Sequence, residues 1–334
     1  MKEHRPRHNV AGLIFLGLIA GGIALTVFFV PWTPDATGLM TEVESDGDWP
    51  RTLVERFPDG TDGRRVVLAS PPQRVVSVAL GTDEVLIELI DSERIVALSH
   101  YASMKGSLIN DRVEGIENFV GADVESIIAL QPDLCFLASY NREETRSLLA
   151  DSGIPTHVFR RFNTLADIRE NILVVGQAVG AEKAANELLA RMDQKLEYVA
   201  ARVPPLEDQP TALVYDVGGW VAAAGTTQDD ILRAAGLRNA AGEAGIQGHV
   251  QISEERILSL EPGYFILRVR RDDDGPAEQR VIDNPAFSNL AAVRHRRLLI
   301  ITNEVYSSVS HHAADAVLEL ARQAYPERFG DDKR

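Results

Sequence analysis

Cysteine is almost absent: Cys135 is the only one in 334 residues. That excludes a disulfide framework, a cysteine-based zinc site and an iron–sulfur cluster. Lysine is scarce as well, five against 29 arginines, and none of the five follows a glycine, so there is no phosphate-binding P-loop. No Gly-x-Ser-x-Gly elbow and no His-Glu-x-x-His pair occurs. Positive charge is short overall: the net charge is −15 and the pI near 5.0. This argues against nucleic-acid binding through a general basic surface. What is present, 45% hydrophobic and 25% charged residues, is the composition of an ordinary globular protein with length for about two domains.

The amino end carries a membrane signal. Lys2, Arg5 and Arg7 precede residues 10–30, a run of 21 without charge, and Asp35, Glu42, Glu44, Asp46 and Asp48 follow it. As a helix the run is about 31 Å long, enough for a bilayer core of about 30 Å. The basic flank belongs in the cytoplasm and everything after Pro31 outside. A cleaved signal peptide is the alternative, but its apolar stretch is typically about 7–15 residues and ends in a small-x-small site. Here the run ends Phe28-Phe29-Val30-Pro31-Trp32, and no cysteine follows where a lipoprotein anchor needs one. The expectation is a cytoplasmic stub and transmembrane anchor over 1–31. The part beyond it holds 31 basic and 48 acidic residues, a net −17.

Residues 32–51, polar and acidic with Pro and Gly, read as a tether. TLVERF (52–57) and RRVVLA (64–69), around Asp59-Gly60, read as a hairpin. From there short apolar runs alternate with helical periodicity. VVSVAL (75–80) is a strand and EVLIELI (84–90) a helix. RIVALS (94–99) is a strand, VESIIAL (124–130) a helix, DLCFLAS (133–139) a strand, REETRSLLADSG (142–153) a helix and PTHVFR (155–160) a strand. Such alternation predicts a parallel α/β sheet. Two helical stretches, 166–180 and 181–203, interrupt it. The alternation then resumes through TALVYDVG (211–218), DDILRAAG (229–236), YFILRV (264–269), RLLIIT (297–302) and a last helix at 313–325. The predicted layout is a lobe over 52–163, bridging helices over 164–204 and a second lobe over 205–334.

An internal repeat supports the two lobes. VESIIALQPDLCFL (124–137) aligns without a gap on EERILSLEPGYFIL (254–267), 130 positions on. Glu125 meets Glu255, Leu130 meets Leu260 and Pro132 meets Pro262. Two copies at this distance argue for paired lobes rather than a solenoid.

PPQRVVSVALGTDEVLIELIDSERIVALS (71–99) resembles the opening of the iron-complex and cobalamin substrate-binding proteins of ABC importers. The resemblance continues through VESIIALQPDLCFLAS, ILRAAGLRNAAG (231–242), QISEERILSLEP (251–262) and NPAFSNLAAVRHRRLLII (284–301), and covers roughly 52–329. Two departures stand out: Thr82-Asp83 replaces the usual Thr-Glu, and an apolar segment replaces the lipid-bearing cysteine of many relatives. The resemblance implies two Rossmann-like lobes with parallel sheets joined by a long bridging α-helix. It implies an extracytoplasmic solute-binding protein without catalytic activity, delivering a ferric siderophore, haem or a corrinoid to an ABC permease dimer with its ATPase. It also implies one exposed glutamate per lobe for docking on the permease, at Glu125 and Glu255. A membrane-anchored ligand sensor on the same fold is the alternative.

In open parallel sheets, ligands lie beyond the carboxyl ends of the strands. The loops there offer Thr82, Tyr101, Tyr140, Arg160, Arg161 and Phe162 in the first lobe, and Trp220, Arg268, Arg270 and Tyr306 in the second. Aromatic rings interleaved with arginines suit a large flat or ring-shaped ligand with anionic groups. Tyr101, His100 or Tyr306 could act as an axial haem ligand. No resident cofactor or metal site is implied; the ligand itself carries iron or cobalt. His311-His312 read as the start of the last helix with Ser310 as its cap, and Cys135 as a small core side chain.

Overall fold

The computed structural model describes residues 39–45, 47–121, 123–215, 219–270 and 277–330. The apolar run 10–30 expected as a membrane anchor lies outside them. Among the described residues no helix is long and apolar enough to cross a membrane.

Three antiparallel strands come first: β1 (Met40–Glu44), β2 (Arg51–Arg56) and β3 (Asp62–Leu68), in the order β1-β2-β3. The hairpin is as expected. β1 is not: it lies inside the stretch read as a tether. Val43 packs on the core, and Glu44 pairs with Arg56 and Arg65, which ties this short polar segment to its neighbours.

The first lobe runs β4 (Val75–Ser77), α1 (Leu80–Leu89), β5 (Ile95–Ser99), β6 (Phe119–Val120), α2 (Val124–Ala129), β7 (Leu134–Ala138), α3 (Glu143–Asp151) and β8 (Thr156–Phe159). Its strands are parallel, in the order β6-β5-β4-β7-β8. All five residues of β7 are buried, Cys135 among them, as befits a strand covered on both faces. Burial pushes the Cys135 thiol up to about 12, so it stays an inert core side chain.

The bridge is two helices, α4 (Leu165–Val179) and α5 (Glu182–Ala200), rather than one. Thr164 and Asp167 form a reciprocal capping box at the start of α4. Ile168, Ile172, Val175 and Val179 then recur on one buried face, and Gly180 (φ 71°) ends the helix in the left-handed region. α5 packs on α4 and on α1 of the first lobe.

The second lobe runs β9 (Thr211–Tyr215), β10 (Trp220–Ala222), α6 (Thr227–Ala234), β11 (Arg238–Asn239), α7 (Ala240–Glu243), β12 (His249–Gln251), α8 (Glu254–Leu260), β13 (Tyr264–Val269), α9 (Ala277–Ile282), α10 (Ala291–Arg294), β14 (Leu298–Thr302), α11 (Asn303–Tyr306), α12 (Ala313–Ala324) and α13 (Pro326–Phe329). β11-β9-β13-β14 is a parallel sheet, while β10 and β12 pair antiparallel. α12 packs on α5, so the bridge contacts both lobes.

The repeat persists in backbone detail. Asp123 caps α2 by accepting the Ser126 amide, and Ser253 caps α8 by accepting that of Arg256. Ile127 and Ile257 are both fully buried. Gln131 (φ 49°) and Glu261 (φ 43°), each just before the matched proline, both hold a left-handed backbone.

Candidate functional site

Each sheet reverses its strand order once, between β4 and β7 in the first lobe and between β9 and β13 in the second. Ligand crevices open at such switch points. In the first lobe the loops leaving β4 and β7 are joined by Asn141. Its Oδ1 accepts the Ala138 amide at 2.7 Å and its Nδ2 donates to the Val78 carbonyl at 3.1 Å. The side chains around this joint enclose a pocket of about 380 Å³ including its open mouth. Thr82, Tyr140 and Phe162 line it with Ala79, Phe159 and Ile172, and Val309 reaches it from the second lobe. Tyr140 and Phe162 meet edge to face with centroids 5.5 Å apart. Burial raises the Tyr140 hydroxyl, and the nearby Asp83 and Glu84 carboxylates raise it further.

Thr82 does not sit in a loop. α1 begins at Leu80, four residues earlier than the apolar periodicity suggested, so Thr82, Asp83 and Glu84 form its first turns and all three are buried. Asp83 accepts hydrogen bonds from the Ser99 amide (3.2 Å) and hydroxyl, and desolvation still drives its carboxyl up to about 7. The serine donors pull the other way but are outweighed.

Tyr101 lies on a short turn after β5, 49% exposed, its ring tilted on His100 at a centroid distance of 3.9 Å. Trp220, 41% exposed, opens β10 opposite Gln251 of β12. Arg268 lies at the carboxyl end of β13, donating to Asn303 at 3.2 Å, and Arg270 directly follows that strand. Two positions later along the β10 ladder, His249 pairs with Ala222. Burial and the Arg268 charge hold its imidazole pKa down.

Three expected contacts are placed elsewhere. Tyr306 is 0% exposed; the single turn α11 directs its ring into the core, and burial raises its hydroxyl pKa. It is not on the cleft wall. Arg160 and Arg161 line a neighbouring groove with Met40, Thr41 and Glu170, outside the Thr82–Tyr140–Phe162 pocket. Arg161 is matched by Asp167 at 2.5 Å and Glu170 at 3.5 Å, and Arg160 by Glu55 at 3.7 Å, so acids already neutralise both. Arg161 braces the α4 capping box instead of offering an unmatched charge.

His311 and His312 stack at 4.0 Å just before α12, whose N-cap is His312 rather than Ser310. Burial, with the His312 charge, holds His311 down at about 3. Among the described residues no group of three or more His, Cys, Asp or Glu side chains is placed to hold a metal ion.

Thr82, Tyr140 and Phe162 thus wall a cleft beside the β4–β7 switch point. The family model described as periplasmic binding protein matches residues 75–305. The chain is 22% identical over 287 residues to an ABC transporter substrate-binding lipoprotein of Bacillus subtilis, covering 83% of this chain and 88% of that one. It is 24% identical over 283 residues to a cobalamin-binding protein of Halobacterium salinarum, covering 84% and 76%. The fold superposes on a periplasmic haem-binding protein of Roseiflexus sp. RS-1 with a TM-score of 0.64 at 21% identity, over 76% of this chain and 98% of that one. These relatives are substrate-binding proteins, not enzymes. With both lobes in place and more than half its length matched, the chain belongs to the periplasmic binding protein family.

Proposed function

We propose that the protein is the extracytoplasmic solute receptor of an ABC importer, holding an iron complex (haem or a ferric siderophore) or a corrinoid between its lobes. One observation carries this reading: the first lobe's switch-point pocket is apolar and aromatic and is completed by Val309 of the second lobe. A small oxyanion needs a close ring of polar donors; rings at Tyr101, Tyr140, Phe162 and Trp220 suit a broad conjugated or macrocyclic ligand. Arg268 and Arg270 supply positive charge for its carboxylate or phosphate groups. Glu125 and Glu255, both exposed at the first turns of α2 and α8, are the docking points for the two halves of a permease. The amino-terminal run, as an uncleaved anchor, keeps the receptor on the outer face of the membrane.

The test uses colour. The purified protein is incubated separately with haemin, cyanocobalamin and a ferric hydroxamate siderophore, then passed over a gel-filtration column. One of the three is expected to co-elute with a shifted absorbance band. Absence of both signs with all three overturns the ligand class.

A further inference from the structure

Alongside the bridging helices, a second seam joins the lobes: α1 packs on α4 and α5, and α12 packs on α5. Glu84, in the first turns of α1, is 1% exposed, and its Oε2 accepts hydrogen bonds from Ser308 Oγ at 2.7 Å and Ser310 Oγ at 2.6 Å. Both serines belong to the second lobe and both are buried. The turn itself fixes their hydroxyls in place, since Ser308 Oγ also accepts the Ser310 amide, and Ser310 Oγ that of His312, each at 3.2 Å. Between them Val309 seats on α1. A Cβ at Gly81 would lie 2.7 Å from Val309 Cγ2, so only glycine lets the turn come this close. Behind the turn, His312 bonds Asp315 at 2.9 Å, and Asp315 pairs with Lys195 of α5. Two more bonds cross where the chain leaves the first lobe: the Leu165 amide donates to Asp230 at 2.7 Å, and the Thr227 hydroxyl to the Phe162 carbonyl. Those lie beside the covalent crossing and follow from it. The Glu84 contact, 224 residues apart in sequence, does not.

We propose that Glu84 and the Ser308–Val309–Ser310 turn form a latch that fixes the opening of the cleft, setting the angle between the lobes before any ligand arrives. A buried carboxyl whose hydrogen-bond donors come from the opposite lobe has a reason to keep the lobes together: separation leaves its oxygen away from bulk water and without donors. Desolvation raises the Glu84 pKa, while the His312 charge and the two hydroxyls oppose that rise, so the serines favour the charged form. A fixed cleft lowers the ordering cost of binding a rigid ligand. The latch rests on interlobe geometry and holds whichever ligand the protein takes.

Spin labels on cysteines introduced at Asp151 in the first lobe and Asn289 in the second report the interlobe distance by pulsed electron resonance; Cys135 is buried and stays unlabelled. The ligand-free wild type is expected to give one narrow distribution. Ser308→Ala/Ser310→Ala strands the buried Glu84 oxygen and should raise the open population roughly tenfold or more, because a buried acceptor left without donors keeps its full desolvation penalty. Glu84→Leu, which removes that acceptor itself, opens the cleft less. In the triple variant the serine substitutions add nothing to Glu84→Leu, since the hydroxyls then have no cross-lobe partner. Should the double serine variant fail to fold, Ser310→Ala alone must shift the distribution in the same direction. Additive effects, or a distribution that stays narrow in the serine variant, overturn the latch. A failure to bind coloured ligands leaves these distances unaffected, so the two readings fail separately.

Discussion

The two lobes match on one surface and differ on another. α2 and α8 repeat each other in cap, buried isoleucine, left-handed terminal residue and following proline. At the carboxyl ends of the sheets the likeness stops. The first lobe places Thr82, Tyr140 and Phe162 around an apolar pocket, whereas in the second Trp220 and His249 lie on the antiparallel β10–β12 pair and Arg268 and Arg270 at the end of β13. A receptor facing a two-fold partner with one side and an asymmetric ligand with the other would diverge in this way. If the proposed function holds, the repeated elements carry the docking geometry and the unrepeated ones the ligand chemistry.

The comparison breaks most visibly at the docking face. Glu125→Arg and Glu255→Arg, made singly, should each lower uptake of labelled ligand by about tenfold or more, because opposed like charges cost several kcal/mol. Together they should abolish uptake and ligand-stimulated ATPase, with fold and ligand affinity close to wild type. If only one lobe's glutamate matters, the repeat is structural and not functional. The cleft comes next. Tyr140→Ala and Trp220→Ala should each weaken binding by about tenfold to a hundredfold in an absorbance titration, as loss of a large aromatic contact does. A loss confined to one of them would place the ligand against a single lobe.

Proton linkage sharpens the contrast, since the buried titratable groups Asp83 and His157 belong to the first lobe and His311 to the seam. Asp83 titrates near 7 when folded against 3.8 otherwise. Between those values the native state holds a proton that the unfolded chain lacks, so this group makes stability fall as pH rises from about 4 to about 7. His157 and His311 are held down near 3 against 6.5, by burial first. There the unfolded chain takes the protons, and stability falls as pH drops from 6.5 towards 3. The histidines therefore supply an acid loss of stability, and the carboxyls of Asp83 and Glu84, both raised by burial, oppose it. In urea unfolding at pH 4, 6 and 8, His157→Leu should flatten that loss, by about 3 kcal/mol at pH 4. Asp83→Asn should steepen it. Acid loss unchanged in both variants would show that these groups do not carry the linkage.

How much of this could be read from the chain follows from which signals are local. Parallel strands covered on both faces give unbroken apolar runs, so the alternation, the hairpin and the 130-residue repeat were legible. β1 was not, because Met40–Glu44 has a single core-packed residue and is held by arginines of the next two strands. The start of α1 was missed because Gly81-Thr82-Asp83 look like a loop, although tertiary packing buries all three. Tyr306 sits on a helix of four residues, too short for any periodicity to show which way its ring points. Arg160 and Glu55 meet across more than a hundred positions, and Glu84 and Ser308 across 224, so no spacing rule could pair them. The ion pair of Arg160 and the burial of Tyr306 were therefore out of reach of the sequence.

The finest test of the repeat is its backbone. Gln131 and Glu261 hold φ values of 49° and 43°, where a Cβ crowds the following carbonyl. For a residue with a side chain this region costs about 1–2 kcal/mol, and glycine escapes that cost while losing about 0.5–1 kcal/mol through a freer unfolded chain. Both side chains are exposed. The Gln131 carbonyl takes a hydrogen bond from Arg74 and the Glu261 amide donates to Leu258, and both of these backbone bonds survive substitution. Gln131→Gly should therefore stabilise by about 0.5 kcal/mol. Glu261→Gly should gain slightly more, because it also removes a negative charge from the carboxyl end of a helix, where the dipole disfavours it. Glu261→Gln isolates that charge contribution; once it is subtracted, the two glycine variants should agree within error in urea unfolding. Agreement means that the lobes share their turn down to a single dihedral angle, and a gain at only one position means that they do not.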